Sequence, residues 1–147
     1  MFNNRIIKKT GNKAEINQIL GVDYGKRKVG LSIADSETRI AFSYGTLLRG
    51  KDFFNELLKI IKKENISTVV IGIPSYINDE EVEYQGEVLG QNIKMELPEI
   101  KIEYQNEMFT TKMAQANLKE RGMKNIARLD DQEAARIILA SWLEQFM

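Results

Sequence analysis

Apolar positions change rhythm partway along the chain. Between residues 17 and 48 they come in short runs: Ile19, Leu20 and Val22, then Val29 to Ala34, then Ala41 to Leu48. Gly25 and the pair Arg49–Gly50 separate and end them. The spacing predicts three strands, Asn17 to Asp23, Val29 to Ala34 and Ala41 to Leu48, joined as an antiparallel meander. From Asp52 the period becomes helical. Phe53, Phe54, Leu57, Leu58, Ile60 and Ile61 form one apolar face, and Lys59, Lys62 and Lys63 load the last turns. A helix from an Asp52 N-cap to about Asn65 follows. Ser67 to Ile73 is apolar at consecutive positions, as a parallel strand buried on both faces is, and Pro74 stops it.

The alternation of helix and strand continues. Asp79 to Leu97 opens on acidic residues, which suit a helix N-terminus, although Gly86 and Gly90 weaken its helical propensity. Pro98 ends that span. Ile100, Ile102 and Tyr104 alternate along a fifth strand, Ile100 to Gln105. Thr110 or Thr111 caps a helix to about Arg121, where Gly122 is a natural stop. Asp130 and Glu133 form a start resembling a capping box. Ala134, Ala135, Ile138, Leu139, Trp142 and Leu143 then run down one face of a final helix.

A meander followed by β-α-β alternation predicts an α/β fold. Its sheet is mixed and five-stranded, three antiparallel strands plus two parallel ones, with helices on both faces. A length of 147 residues fits one domain. We expect a single domain over residues 17–147, preceded by a polar N-terminal arm, residues 1–16, that carries Lys8, Lys9 and Lys13.

Composition narrows the chemistry. The chain has no cysteine and no histidine. Thiolate nucleophiles, cysteine zinc sites, Ser-His-Asp triads and histidine general bases are therefore excluded. Carboxylates, lysines, tyrosines and hydroxyls remain, and carboxylate oxygens favour hard cations such as magnesium or manganese. Lysine plus arginine, 21, balances aspartate plus glutamate, 21. An anionic partner would thus need a local basic patch. No apolar stretch approaches a membrane span, and the first residues lack a signal-peptide core. The expectation is a soluble cytoplasmic protein.

Three acids stand out by position. Asp23 closes the first strand, Glu107 follows the fifth, and Asp131 lies in the first turn of the last helix. Ligands in open α/β sheets bind at the carboxyl ends of parallel strands. If the first, fourth and fifth strands run parallel, Asp23 and Glu107 share that edge, and the final helix could bring in Asp131. Clustered carboxylates repel one another, and bound cations relieve the repulsion. Each acid also has a plainer reading, as a turn aspartate, a solvated strand end or a helix-dipole partner. Lys26, Arg27 and Lys28 place three positive charges beside Asp23, which suits a phosphate substrate as well as a charged hairpin tip. Lys112, Lys119, Arg121, Lys124 and Arg128 could track a phosphate backbone or form a solvated face.

The blocks Leu20 to Gly25, Val29–Gly30, Ile71 to Pro74, Asn106–Glu107 with Thr110–Thr111, and Asp131 with Ala134–Ala135 and Ile138–Leu139 resemble the YqgF family. Holliday junction resolution, and nuclease processing of the 5′ end of pre-16S ribosomal RNA, are ascribed to that family. The resemblance spans residues 17 to 147 with every block in order. It implies a ribonuclease-H-like fold, with Asp23, Glu107 and Asp131 as the catalytic, metal-binding acids. Three positions depart from the family pattern. Asn106 replaces an aspartate and loses a charge, Met108 replaces an arginine, and Lys28 replaces an arginine and loses its bidentate fork.

The resulting expectation is a nuclease dependent on Mg2+ or Mn2+. Its substrate would be structured RNA, the 5′ end of pre-16S rRNA first, or branched DNA, with Lys26, Arg27, Lys28 and Lys112 on phosphate. Ribosomal particles are the expected larger partner, and a monomer or a homodimer both fit. Two other readings compete. The Gly21 to Gly25 turn also resembles the phosphate loop of actin-like ATPases and sugar kinases, but those enzymes close two such lobes around a nucleotide. Asn106 and Met108 would also suit a non-catalytic nucleic-acid-binding module.

Overall fold

The computed structural model describes residues 17–73, 80–106 and 131–145. In chain order these form β1 (Gln18–Tyr24), β2 (Lys28–Asp35), β3 (Phe42–Leu48), α1 (Phe53–Lys63), β4 (Ile66–Ile73), α2 (Glu80–Glu96), β5 (Lys101–Asn106) and α3 (Asp131–Glu144). The expected N-terminal arm, residues 1–16, and the expected helix from Thr110 or Thr111 lie outside the described residues.

The five strands make one sheet in the order β3-β2-β1-β4-β5. β1 pairs antiparallel with β2, and β2 with β3, which is the expected meander. β4 joins β1 in parallel, and β5 joins β4 in parallel. The first, fourth and fifth strands therefore point their carboxyl ends the same way. β1 lies at the centre, between an antiparallel and a parallel neighbour.

Side-chain alternation divides the core into two layers. Leu20, Val22, Val29, Leu31, Val69 and Ile71 face α1 and α2, where Phe53, Leu57, Ile61, Leu89 and Ile93 meet them. Ile19, Ala34, Ala41 and Val70 face α3 and pack against Ile138, Leu139 and Leu143. β4 is thus buried on both faces, with Val69, Val70 and Ile71 fully inaccessible. The sheet has helices on both sides, as the pattern predicted.

The two faces differ in bulk. The face toward α3 carries Gly21 on β1 and Gly30, Ser32 and Ala34 on β2. A methyl group added at Gly21 would overlap Ser32 and reach within 2.9 Å of Leu139 Cβ and 3.1 Å of the Ala135 carbonyl oxygen. The helix backbone therefore rests almost directly on the strands. Ser32 seals the contact: its buried hydroxyl donates to the Ala135 carbonyl at 2.7 Å.

Two expected elements are present with differences in detail. Asp52 occupies the N-cap of α1, but its side chain makes no capping hydrogen bond. Its carbonyl instead accepts from the Glu56 amide at 3.0 Å, the ordinary first helical bond. Gly86 and Gly90, read as weaknesses, lie within a continuous α2. Their missing side chains leave room for β4 and β5: a methyl at Gly86 would sit 2.7 Å from Ile73 Cγ2, and one at Gly90 would reach 2.9 Å from Ile102 Cγ2 and overlap the Tyr104 hydroxyl. Packing outweighs the roughly 1 kcal/mol helix penalty of each glycine.

Candidate active site

Asp23 sits near the carboxyl end of the central strand. Its partner on β2 is Gly30 and its partner on β4 is Gly72, which pairs in turn with Gln105 of β5. The half-buried carboxylate thus has a glycine on either side. Its two directly paired neighbours therefore carry no side chain. Alternation puts Asp23 on the same face as Ile19 and Gly21, the face covered by α3.

Asp131 reaches this place through Gly30. It is the first residue of α3. A methyl group built on Gly30 would overlap the Asp131 carbonyl and lie 3.1 Å from Asp131 Cβ. The N-terminus of α3 therefore rests on the residue paired with Asp23. The start of α3, with Asp131, is thereby brought beside the strand residue that pairs with Asp23. Helix partial charge favours an anionic group at Asp131.

α3 is fastened at both ends. Gln132 Nε2 donates to Thr46 Oγ1 of β3 at 3.3 Å, and Gln145 Nε2 donates to the buried Gln105 Oε1 at 2.7 Å. Arg136 grips Glu133 through Nε to Oε1 at 2.8 Å and Nη2 to Oε2 at 2.6 Å, which stiffens the first turns. That pairing raises the Arg136 pKa above its ordinary value.

The β1–β2 turn carries the other candidate residues. The Gly25 amide donates to the Asp23 carbonyl at 3.1 Å and turns the chain sharply. Lys26, Arg27 and Lys28 follow, all exposed. Glu107 and Lys112 lie outside the described residues, as do Lys119, Arg121, Lys124 and Arg128. Glu107 is next in sequence after Asn106, the last residue of β5, and Asn106 pairs with Ile73 one step beyond the Asp23 row. Among the described residues no three acidic side chains come together. Asp23 and Asp131 nevertheless suit a hard cation chemically, because both carry anionic carboxylate oxygens and the start of α3 packs beside the strand residue paired with Asp23.

Sequence reasoning left Gly72, Gln105 and Arg49 without roles. Gly72 shows its role only once its register with Asp23 is known. Gln105 is polar yet 7% exposed, a burial no local pattern reveals. Arg49 stands at the end of β3, yet its guanidinium reaches back to the β1–β2 turn.

A mixed five-stranded sheet in the order β3-β2-β1-β4-β5, with two parallel pairs and helices on both faces, places the chain in the ribonuclease-H-like fold class. The structure of Thermus thermophilus RuvC in complex with a Holliday junction is similar, with TM-score 0.59 and 14% identity over 89% of this chain and 96% of that one. A fowlpox virus resolvase bound to Holliday junction DNA gives TM-score 0.55 and 13% identity, covering 90% and 99%. The family described as RuvX, Holliday junction resolvase, matches residues 17–145, and the chain belongs to it. Its class is therefore that of nucleases, enzymes that hydrolyse phosphodiester bonds. Two similar relatives carry the name "Putative pre-16S rRNA nuclease". One, from Maridesulfovibrio salexigens, is 33% identical across 86% of this chain and 97% of its own. The other, from Amoebophilus asiaticus, is 33% identical across 89% and 96%. No described helix is long and apolar enough to cross a membrane.

Proposed function

We propose that the chain is a metal-dependent endonuclease that trims the 5′ end of pre-16S rRNA during ribosome biogenesis. It would act in the cytoplasm, on precursor particles or free precursor RNA, as a monomer or a homodimer. One observation carries this reading: Asp23 lies between two glycines, and the helix start bearing Asp131 packs on one of them. Such a place offers two anionic oxygen donors.

Asp23 and Asp131 would hold Mg2+ or Mn2+, with Glu107 as the third acid. The ion would supply Lewis-acid stabilisation of the charge that develops as a phosphodiester is hydrolysed. Asp23 enters from a strand paired on both sides, so its backbone costs little reorganisation. Asp131 enters from a helix start fixed by Gly30 and Thr46. Gly30 makes room for the helix start that carries Asp131, and Gly72 puts no side chain directly beside Asp23. Lys26, Arg27 and Lys28 neutralise phosphates flanking the cut, and Lys112 is proposed for the same work. The relatives' name supports ribosomal precursor RNA as substrate; the family description and the RuvC likeness support four-way DNA as the second.

The test is a cleavage assay of the full chain and its Asp23→Asn variant. Substrates are a pre-16S leader RNA, a four-way DNA junction and plain single strands, each in magnesium, manganese or EDTA. Cutting of the leader by the native chain in metal, lost in EDTA and in the variant, is expected. Metal-dependent cutting of the junction alone replaces the substrate. No cutting by the folded native chain on any substrate overturns the enzyme reading for this chain in isolation.

A further inference from the structure

The β1–β2 turn concentrates charge without neutralising it. Lys26, Arg27 and Lys28 are consecutive and exposed, and none is ion-paired to a described carboxylate; the ion pairs among the described residues are Lys101–Glu103 and Arg136–Glu133. Like charges so close repel and tend to splay a short turn. A fourth cation, Arg49, nevertheless sits against this turn. Its amide donates to the Arg27 carbonyl at 2.8 Å, and its Nη1 donates to the Gly25 carbonyl at 3.1 Å. The guanidinium carbon lies 4.2 Å from the centre of the Tyr24 ring. Tyr24 in turn stacks on Phe53, at 5.8 Å between centroids and 26° between planes. Phe53 is buried at the start of α1. The turn is thereby tied through Arg49 and Tyr24 to the core.

The place of this tie matters. Tyr24 follows Asp23 and points to the opposite face of β1, into the α1 layer. Gly25 and Arg27 bracket the turn. Arg49 therefore grips the backbone on the α1 side of β1, away from the face that carries the Asp23 side chain.

We propose that Arg49 is a positioning residue: it locks the tri-cationic turn to the end of β1, so that Lys26–Lys28 meet a phosphodiester backbone in fixed register with Asp23. The proposal rests on the nucleic-acid reading above. The planar guanidinium is needed for it. Lysine keeps the charge at this position but can neither stack on Tyr24 in the same way nor hold the Gly25 carbonyl from a fixed fork.

The experiment uses the full chain with Arg49→Ala, Arg49→Lys, Tyr24→Leu and Lys51→Ala. Two quantities are measured: amide hydrogen exchange at residues 25–28, and affinity for pre-16S leader RNA in EDTA, with kcat/KM added in metal. Arg49→Ala and Arg49→Lys are expected to speed exchange in the turn about tenfold while the β1 and β4 core amides keep their protection. Both should weaken RNA binding, and lower kcat/KM, by about tenfold through lost orientation. Tyr24→Leu, which removes no charge, should do the same, and its combination with Arg49→Ala should add little. Lys51→Ala, which removes an exposed cation of the next loop, should leave turn exchange at the native rate.

An Arg49→Lys variant with native RNA affinity and native turn protection overturns the proposal and makes Arg49 a plain phosphate contact. A loosened turn with undiminished RNA affinity also overturns it and leaves only a structural tie. The exchange and EDTA arms need no cleavage, so failure of the nuclease reading would appear separately, as absent cutting by the native chain.

Discussion

Replacing Gly30 by alanine should damage stability and activity together, through one contact. Gly30 is not in the left-handed region of backbone space, so alanine meets no conformational penalty there. Its methyl group would instead overlap the Asp131 carbonyl. The obstacle is helix backbone, not the end of a flexible side chain, so it cannot rotate away. The start of α3 must withdraw by on the order of 1 Å to regain ordinary contact distance. Overpacking of this kind costs about 1–3 kcal/mol, and an unyielding neighbour argues for roughly 2–3. For a domain of this size that lowers Tm by about 4–12 °C. The same withdrawal moves Asp131 away from Asp23, and a displacement of about 1 Å at a reacting centre can cost on the order of a hundredfold in rate. Gly45→Ala is the control, because a methyl there meets nothing within 4 Å. Thermal unfolding and leader-RNA cleavage, measured below the Tm of each variant, decide the matter. A Gly30→Ala protein with the native Tm and native rate would falsify the account of how α3 docks. A lower Tm with an unchanged rate would sever Asp131 from catalysis.

Other outcomes follow from single contacts. Ser32→Ala removes the buried bond to the Ala135 carbonyl and should cost about 1 kcal/mol in urea unfolding, with an unchanged m-value; native stability would mean that the bond contributes nothing net. Tyr44 donates to Glu64 Oε2 at 2.7 Å, and this bond, with smaller contributions from burial and the Glu64 charge, raises the phenol pKa above 10.0. Its stabilising effect is therefore full below the unfolded pKa and is lost as pH rises through the raised folded value. Ultraviolet titration of the native chain against Tyr44→Phe should show one late-ionising tyrosine missing from the variant. Asp35 accepts from the Thr38 amide at 2.6 Å, the Thr38 hydroxyl at 3.0 Å and the Glu37 amide at 2.9 Å. The Thr38 amide bond foremost holds its pKa below 3.8. The turn after β2 should stay ordered above that pH and loosen as pH falls through the depressed value, which carboxyl NMR titration would follow; an Asp35 midpoint at or above 3.8 refutes it.

Much of the fold was legible in the chain, element by element. The apolar run of β4 announced a strand buried on both faces, and α1 announced itself by Leu57 and Ile61 on one stripe. Alternation in β1 and β2 also carried a subtler signal, the small residues Gly21, Gly30, Ser32 and Ala34 at every second position. They mark the face that a helix backbone approaches. Boundaries shifted by a residue or two because the ladder continues wherever a partner strand is present, as at Tyr24 and Lys28. The helix of α2 was legible despite its glycines, but not their reason: propensity is a local quantity, whereas Gly86 and Gly90 are set by what packs on them.

For the site, the sequence by itself determined the available chemistry. A chain without histidine or cysteine must work with carboxylates and bases, and Asp23 was marked by the strand it ends and the turn that follows. Tertiary structure alone decided which groups meet. Ser32 and Ala135 stand 103 residues apart and share a hydrogen bond. Asp131 lies on Gly30, and Gly72 beside Asp23, only because β2, β4 and α3 converge on one strand. Periodicity tells which face of an element is buried. It does not tell what buries it, because that choice depends on shape and register summed over the whole core. Arg49 shows the same division: the sequence supplies a cation at a strand end, and only the folded chain places it over Tyr24.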